Sequence, residues 1–220
     1  MGSRKLRGGR SVRLPDFEVD DLAVQVAAFR GEIDLDLAHV DGGDQAGVVG
    51  EGLVSHCLVE RVDFAGAQFV PLSLDDVVFR DVDLSNAVLH RVAARRVEFL
   101  QCRAIGLRLT LDHAADVVLS DCRLDYANIR VERVKGVLAF QDCSFREAVI
   151  SGDLSNVVFE NCDFTGAEFD VAKAEKCDFR SSSLAGARGL ISLRGAEIST
   201  EQAVSVAVRL AVEVGFKVVD

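Results

Sequence analysis

Six cysteines (Cys57, Cys102, Cys122, Cys143, Cys162, Cys177) and four histidines (His39, His56, His90, His113) are the side chains best suited to metal binding or nucleophilic attack. Their spacing argues against both. There is no CxxC pair and no HExxH or similar pair that would set two ligands on one helix face. Gly42-Gly43 and Gly50-Glu51-Gly52 are not phosphate loops: no Gly-Lys-Ser/Thr follows, and no strand–GxGxxG–helix context surrounds them. The sequence predicts no enzyme: no catalytic residue, no metal ligand and no cofactor site. Whether the cysteines are structural thiols, ligands or nucleophiles turns on the elements that hold them.

Those elements repeat every five residues. Written in fives from Val62, the chain reads VDFAG AQFVP LSLDD VVFRD VDLSN AVLHR; from Val157 it reads VVFEN CDFTG AEFDV AKAEK CDFRS SSLAG. The third position is Phe or Leu in most copies, and the first is small or β-branched. Centres run from Phe64 to Val134 in one frame. One residue is inserted near Lys135–Ala139, centres continue at Phe140, Phe145 and Ile150, and a one-residue deletion restores the frame at Leu154. All six cysteines fall two residues before a centre, and ten of the 13 Phe fall on one. A shared inward phase makes the cysteines small core residues.

A period of five matches neither the 3.6 of a helix nor the two of a long strand. It fits a short extended segment with a corner every five residues, two side chains of which point inward. Coils built this way stack at the strand spacing and touch only their neighbours. Val54 to Gly189 gives 28 pentapeptides. At four per coil and ~4.8 Å per coil that is about seven coils and roughly 34 Å.

The copies CDFTG AEFDV, CDFRS SSLAG, VDLSN AVLHR and VDFAG AQFVP resemble the pentapeptide-repeat family over residues 47–190. The resemblance implies an all-β solenoid, a right-handed quadrilateral β-helix. It is similar to actinobacterial members, some of which form dimeric acidic rods that mimic duplex DNA and bind type II topoisomerase (DNA gyrase). The stretch SLRGAEISTEQAVSVAVRLAVEVGFKV is similar to the helical tail that makes the dimer in such proteins.

Two inward positions carry acids, Asp112 and Glu132. A lone buried carboxylate is costly, so a bulge should turn each outward; a loop used for partner contact is the alternative. Both ends of a solenoid need covers. Ser199-Thr200-Glu201-Gln202 is a capping box, and Ala203, Val206, Ala207, Leu210 and Val214 follow at helical spacing, so the sequence predicts a helix over about 200–214. AVSVAV also alternates as a strand would. Phe216, Val218 and Val219 read as a short strand. Residues 191–220 are thus a capping helix and tail, with Val206, Leu210, Phe216 and Val218 as candidate dimerisation contacts. Residues 15–46 read as an acidic N-terminal cap, with a short helix around Asp20–Phe29 and a strand through Ile33, Leu35 and Leu37. Residues 1–14 read as a disordered basic tail.

Charge narrows the partners. The net charge is −10: residues 1–14 hold five bases and no acid, and residues 15–51 hold ten acids against Arg30 alone. An acidic body disfavours phosphate contacts, hence direct nucleic-acid binding, and suits a basic protein surface. The 15–51 segment reads as an acidic docking region or a solvated cap. Residues 20 apart share a face, which makes Asp81, Glu98, Asp121, Asp142, Glu160 and Asp178 the candidate acidic interaction face, interrupted by Arg80 and Arg180. Apolar runs of about four to five residues fall far short of the ~20 of a membrane span, and no hydrophobic segment follows the basic start as in a secretory signal. The expectation is a cytoplasmic protein-interaction module, either a gyrase-binding DNA mimic or a scaffold for another protein.

Overall fold

The structure, a computed structural model, describes residues 2–26 and 28–219. It is a β-solenoid of about seven turns closed by a single C-terminal helix. Long strands β6 (Val49–Asp63), β7 (Gln68–Arg80), β8 (Val88–Leu100) and β9 (Arg108–Ser120) each wrap several sides of a coil and pair in parallel with the next coil; they follow β1 (Ser3–Lys5), β2 (Ser11–Arg13), β3 (Ala23–Val24), β4 (Gly31–Asp36) and β5 (Ala38–Asp44). The register is 20 residues: Leu74 pairs with Ala94 and Phe79 with Phe99. It becomes 21 at Val117–Leu138 and 19 at Leu138–Val157, and returns to 20 at Asp153–Lys173 after a bulge at Gly152. The insertion and deletion read from the sequence are where the register slips.

The corners explain the spacing. Each coil turns on residues with positive φ, among them Asp76, Asp81, Asn86, Arg96, Asp116, Asp121, Asp142, Asn156 and Asn161. None of the non-glycine residues there is β-branched, because a left-handed conformation costs an L-residue roughly 1–2 kcal/mol and more with branching at Cβ. The Asp before a centre braces one corner type: Asp63, Asp83, Asp153 and Asp163 each accept the backbone N–H two residues on. Inside, Phe140, Phe159 and Phe179 stack in one column with centroids 5.0 and 4.7 Å apart, and Phe145 stacks on Phe164 at 4.8 Å. Cys102, Cys122, Cys143 and Cys162 follow one another at the same position of successive coils, all buried and free.

Leu111 and Val131 take the inward slots that the strict frame gave to Asp112 and Glu132. A register shift at β8–β9 moves Leu111 opposite Val92; Asp112 is half-buried, and Glu132 is exposed on Arg130 at 2.5 Å. The bulge reading therefore describes Asp112; at Glu132 the register on β9 stays unbroken through Val131, where the strand ends.

The ends differ from expectation. Strand pairing onto the coils begins at Ala23, not at 47: β3 lies on β5, and β4 and β5 lie on β6, with Leu35 opposite Val54 and Val40 opposite Val59. The expected helix at Asp20–Phe29 is only a 3₁₀ turn, Val19–Asp21, followed by β3. The strand expected through Ile33 and Leu35 forms as β4 on β6, whereas Leu37 turns the corner at φ 49 and is exposed. Phe29 plugs the open end, edge-on to Phe64 at 4.9 Å. At the other end α1 (Thr200–Glu213) starts with Ser199 and Gln202 in a reciprocal capping box. The Gln202 amide also donates to the carbonyls of Phe179 and Ser182, satisfying edge acceptors that no further coil can reach. Residues 216–219 are irregular, not a strand.

Residues 1–14 were expected to be disordered. Instead β1 and β2 form an antiparallel hairpin through Gly8 and Gly9, which supply positive φ at its turn. The hairpin lies along one side of the rod, and its apolar contacts supply what a charged tail alone lacks.

Candidate functional site

No interior site for a ligand exists among the described residues. Where Ala94 and Ala104 replace larger centres, a cavity of about 20 Å³ remains, lined by side chains such as Leu84, Phe99 and Leu119. That is room for about one water, and the lining is wholly apolar. His39, Asp41 and Glu60 place ligand atoms within 4.8 Å of one another. Cations already occupy that donor set: Arg61 meets Asp41 at 2.5 Å and Glu60 at 3.2 Å, Arg80 meets Glu60 at 3.5 Å, and His39 Nε2 lies 2.9 Å from Glu60. The cluster reads as an ion-pair network.

On the outside, one side stands out. Its outward positions in successive coils are Leu58, Val78, Glu98, Val118, Ala139, Val158 and Asp178. Corresponding positions on another side are Asp63, Asp83, Arg103, Arg123, Ser144, Asp163 and Ser183. The apolar column is covered by the chain's own start. Leu6, Val12 and Leu14 pack on Val118, Val137, Ala139 and Val158. Phe17 and Leu22 pack on Leu58, Val78 and Leu100.

The carboxylates beside the column meet the basic hairpin. Arg4 donates to Glu98 at 2.7 Å and to Ser120 and Gln141 at 3.2 Å. Arg13 Nε lies 2.6 Å from Asp116, and the Arg7 N–H donates to Glu160 at 2.5 Å. Burial pushes the Glu98 carboxyl above the ordinary glutamate range, against the opposing pull of Arg4 and Arg80.

The six acids expected to form one open face thus divide. Asp81, Asp121 and Asp142 are exposed corner residues. Glu98 lies beneath Arg4, Glu160 is half-buried at the hairpin, and Asp178 is buried and held by Arg180 at 2.6 Å. Burial opposes ionisation of Asp178, yet hydrogen bonds from Arg180 hold its carboxyl below the usual range. Charge also varies along the rod. Residues 88–135 carry nine bases against six acids, between acidic stretches on either side. Of the candidate dimer contacts, Val206 is buried and Leu210 half-buried against the last coil, whereas Phe216 and Val218 are exposed. Val204, Val208 and Val212 of α1 are also exposed.

The sequence reading missed the hairpin. Its signal was present: two short basic segments flank Gly8-Gly9, and the chain closes around Arg7–Gly9 as a hairpin loop containing glycine, with Leu6 and Val12 both buried.

The family model "Pentapeptide repeats (8 copies)" matches residues 140–184. No curated protein matches. Among solved structures, a trypsin-treated single-residue variant of QnrB1, a plasmid-mediated fluoroquinolone resistance protein, is 19% identical over 88% of this chain and 100% of its own, with a TM-score of 0.45. Full-length QnrB1 is 20% identical over 82% and 99%, at 0.41. HetL, a pentapeptide repeat protein involved in heterocyst differentiation regulation from Nostoc sp. strain PCC 7120, is 15% identical over 78% and 90%, at 0.31.

Proposed function

From the premise that the chain belongs to the pentapeptide-repeat family, we propose that it is a non-enzymatic protein-interaction module of the cytoplasm. The observation that carries this reading is the division of labour in each coil. Inward positions are filled by apolar side chains to the axis, and the exposed charged side chains lie on the outside, where another surface can meet them. Six free thiols, all buried, fit a reducing compartment. No helix among the described residues is long and apolar enough to cross a membrane.

The partner best matched by the exposed acids is a basic protein surface. A type II topoisomerase such as DNA gyrase is the sharper reading, drawn from the family resemblance. Two observations favour it: the exposed acids Asp81, Asp121 and Asp142 along one corner, and the exposed valines of α1, which would join two rods end to end. The basic stretch at 88–135 breaks the acidic track, which favours the alternative, a scaffold for a non-topoisomerase protein. A gyrase supercoiling assay with and without a fluoroquinolone separates the two. Inhibition or drug protection at micromolar protein is expected of a DNA mimic. Absence of both, with no gyrase in a pull-down, removes the topoisomerase reading and leaves the scaffold.

A further inference from the structure

The N-terminal hairpin is attached in an unusual way. Its two strands form a sheet of their own. Among the described residues, no backbone–backbone hydrogen bond joins residues 2–22 to the coils; the first such bonds are Ala23 N–H to Leu37 O and Gln25 N–H to His39 O. Three apolar side chains, the guanidinium groups of Arg4, Arg10 and Arg13, and the Arg7 N–H to the Glu160 carboxylate hold it instead. Arg10 completes the set by donating to the carbonyl oxygens of Asn156, at 3.1 Å, and of Lys176. The hairpin ends at Pro15, next to an anchor that is independent of it: the Asp16 N–H donates to Asp76 at 3.0 Å, and Phe17 and Leu22 lie on their own apolar patch. Residues 2–14 are therefore held separately from that anchor.

The surface beneath is specialised. Apolar outward residues at Val118, Ala139 and Val158 are framed by Glu98, Asp116 and Glu160. That arrangement is complementary to a strand pair whose residues alternate between aliphatic and arginine. We propose that this surface is a docking site for a basic, aliphatic-alternating β-hairpin of a protein partner, and that residues 2–14 are an intramolecular occupant that the partner displaces. The inference rests on the interaction-module reading and gives it a site and a ligand chemistry. The hairpin's ion pairs, Arg4–Glu98 and Arg13–Asp116, each leave the arginine within reach of solvent over a buried carboxylate, which makes exchange feasible and salt-sensitive. An occupied site weakens the apparent affinity of an outside ligand by the fraction of time it is open.

The test uses the full chain and a fluorescent peptide with the sequence of residues 2–14. In the variant Leu6→Asp/Val12→Asp the peptide should bind about tenfold or more tightly than to wild type, since the internal competitor is lost. Adding Val158→Lys should abolish that binding, and a peptide with glutamate in place of Arg4 and Arg13 should not bind. A folded Leu6→Asp/Val12→Asp protein that binds no better than wild type overturns the proposal. Hydrogen exchange on wild type tests it without substitution: amides of 3–13 should exchange about a hundredfold faster than those of the coils beneath, as for a locally opening segment. Exchange in step with the coils overturns it. A wild-type dimer that the peptide dissociates would assign the surface to a second copy's arm and overturn the outside partner. Peptide binding without capture of any protein would sink the interaction-module reading and leave the site. Protein capture unaffected by the peptide would do the reverse.

Discussion

Arg96 lies one coil above Asp76, and its guanidinium forks onto both oxygens of that carboxylate, with both residues buried. The same carboxylate accepts the Asp16 N–H, so one ion pair links two coils and the N-terminal strap. Burial raises the cost of charge on Asp76, yet the Arg96 hydrogen bonds hold its carboxyl below the ordinary aspartate range. Arg96→Ala should cost about 3–5 kcal/mol by urea unfolding, because it removes one partner of a buried ion pair. The pH dependence has a definite sign. A lowered folded value stabilises above the unfolded value of about 3.9, and that stability is lost as pH falls through the folded value. Acid unfolding midpoints should shift upward in Arg96→Ala.

Glu98 behaves oppositely. Its folded value is raised by burial, so its contribution is present below the unfolded value and is lost as pH rises through the folded one. Arg4 opposes the rise. Arg4→Ala should therefore push the Glu98 carboxyl further up in a side-chain NMR titration. No change would mean that the hairpin is not seated there in solution.

Gly152 takes the corner where the frame loses a residue. Its φ is 93, and a Cβ there would lie 2.0 Å from Val131 O, a backbone atom that cannot yield. Gly152→Ala should destabilise by about 3 kcal/mol or more. Gly47, at φ 65 with nothing within 4 Å of a Cβ, provides the control; Gly47→Ala should cost only about 1 kcal/mol. Equal urea midpoints for the two variants would show that the bulge is soft.

The repeat was legible because inward positions obey one rule: Phe159 must fill the same space as Phe140 and Phe179, and Cys162 the same as Cys143. The register slips were legible for the same reason. Asp112 and Glu132 broke the rule visibly, and Leu111 and Val131, one residue earlier, were the residues able to replace them. Outward positions carry no such constraint. Whether Glu98 is an open acid or the seat of Arg4 depends on a segment 94 residues earlier in the chain. Periodicity is blind to that distance, and the hairpin is too short to show a period of its own.

The outer side of α1 presents Val204, Val208 and Val212, followed by Phe216, Val218 and Val219, all exposed, while Val206 and Leu210 face the coil. A contiguous apolar surface of this kind favours self-association. Light scattering should give wild type twice the mass of Val208→Asp. A wild-type monomer at micromolar concentration would remove end-to-end pairing and leave the solenoid untouched.

The thiols make the last prediction. Cys162 sits in a column with Cys143, Cys122 and Cys102, and the next coil places Ser182 there, whose hydroxyl donates to Phe159 O at 3.0 Å. Cys162 points its own thiol at Phe140 O, one coil back, at 3.5 Å. Serine should therefore find a ready acceptor, and Cys162→Ser should cost less than about 1 kcal/mol. Phe159→Ala, which empties the stacked column, should cost about 3–5 kcal/mol. Burial also pushes the Cys57 thiol up to about 11. The unfolded chain ionises near 8.5, so stability should fall as pH rises from there toward 11. Native protein should release no colour with a thiol reagent at pH 8, and six equivalents in denaturant. A thiol that reacts in the native state would contradict the sealed interior.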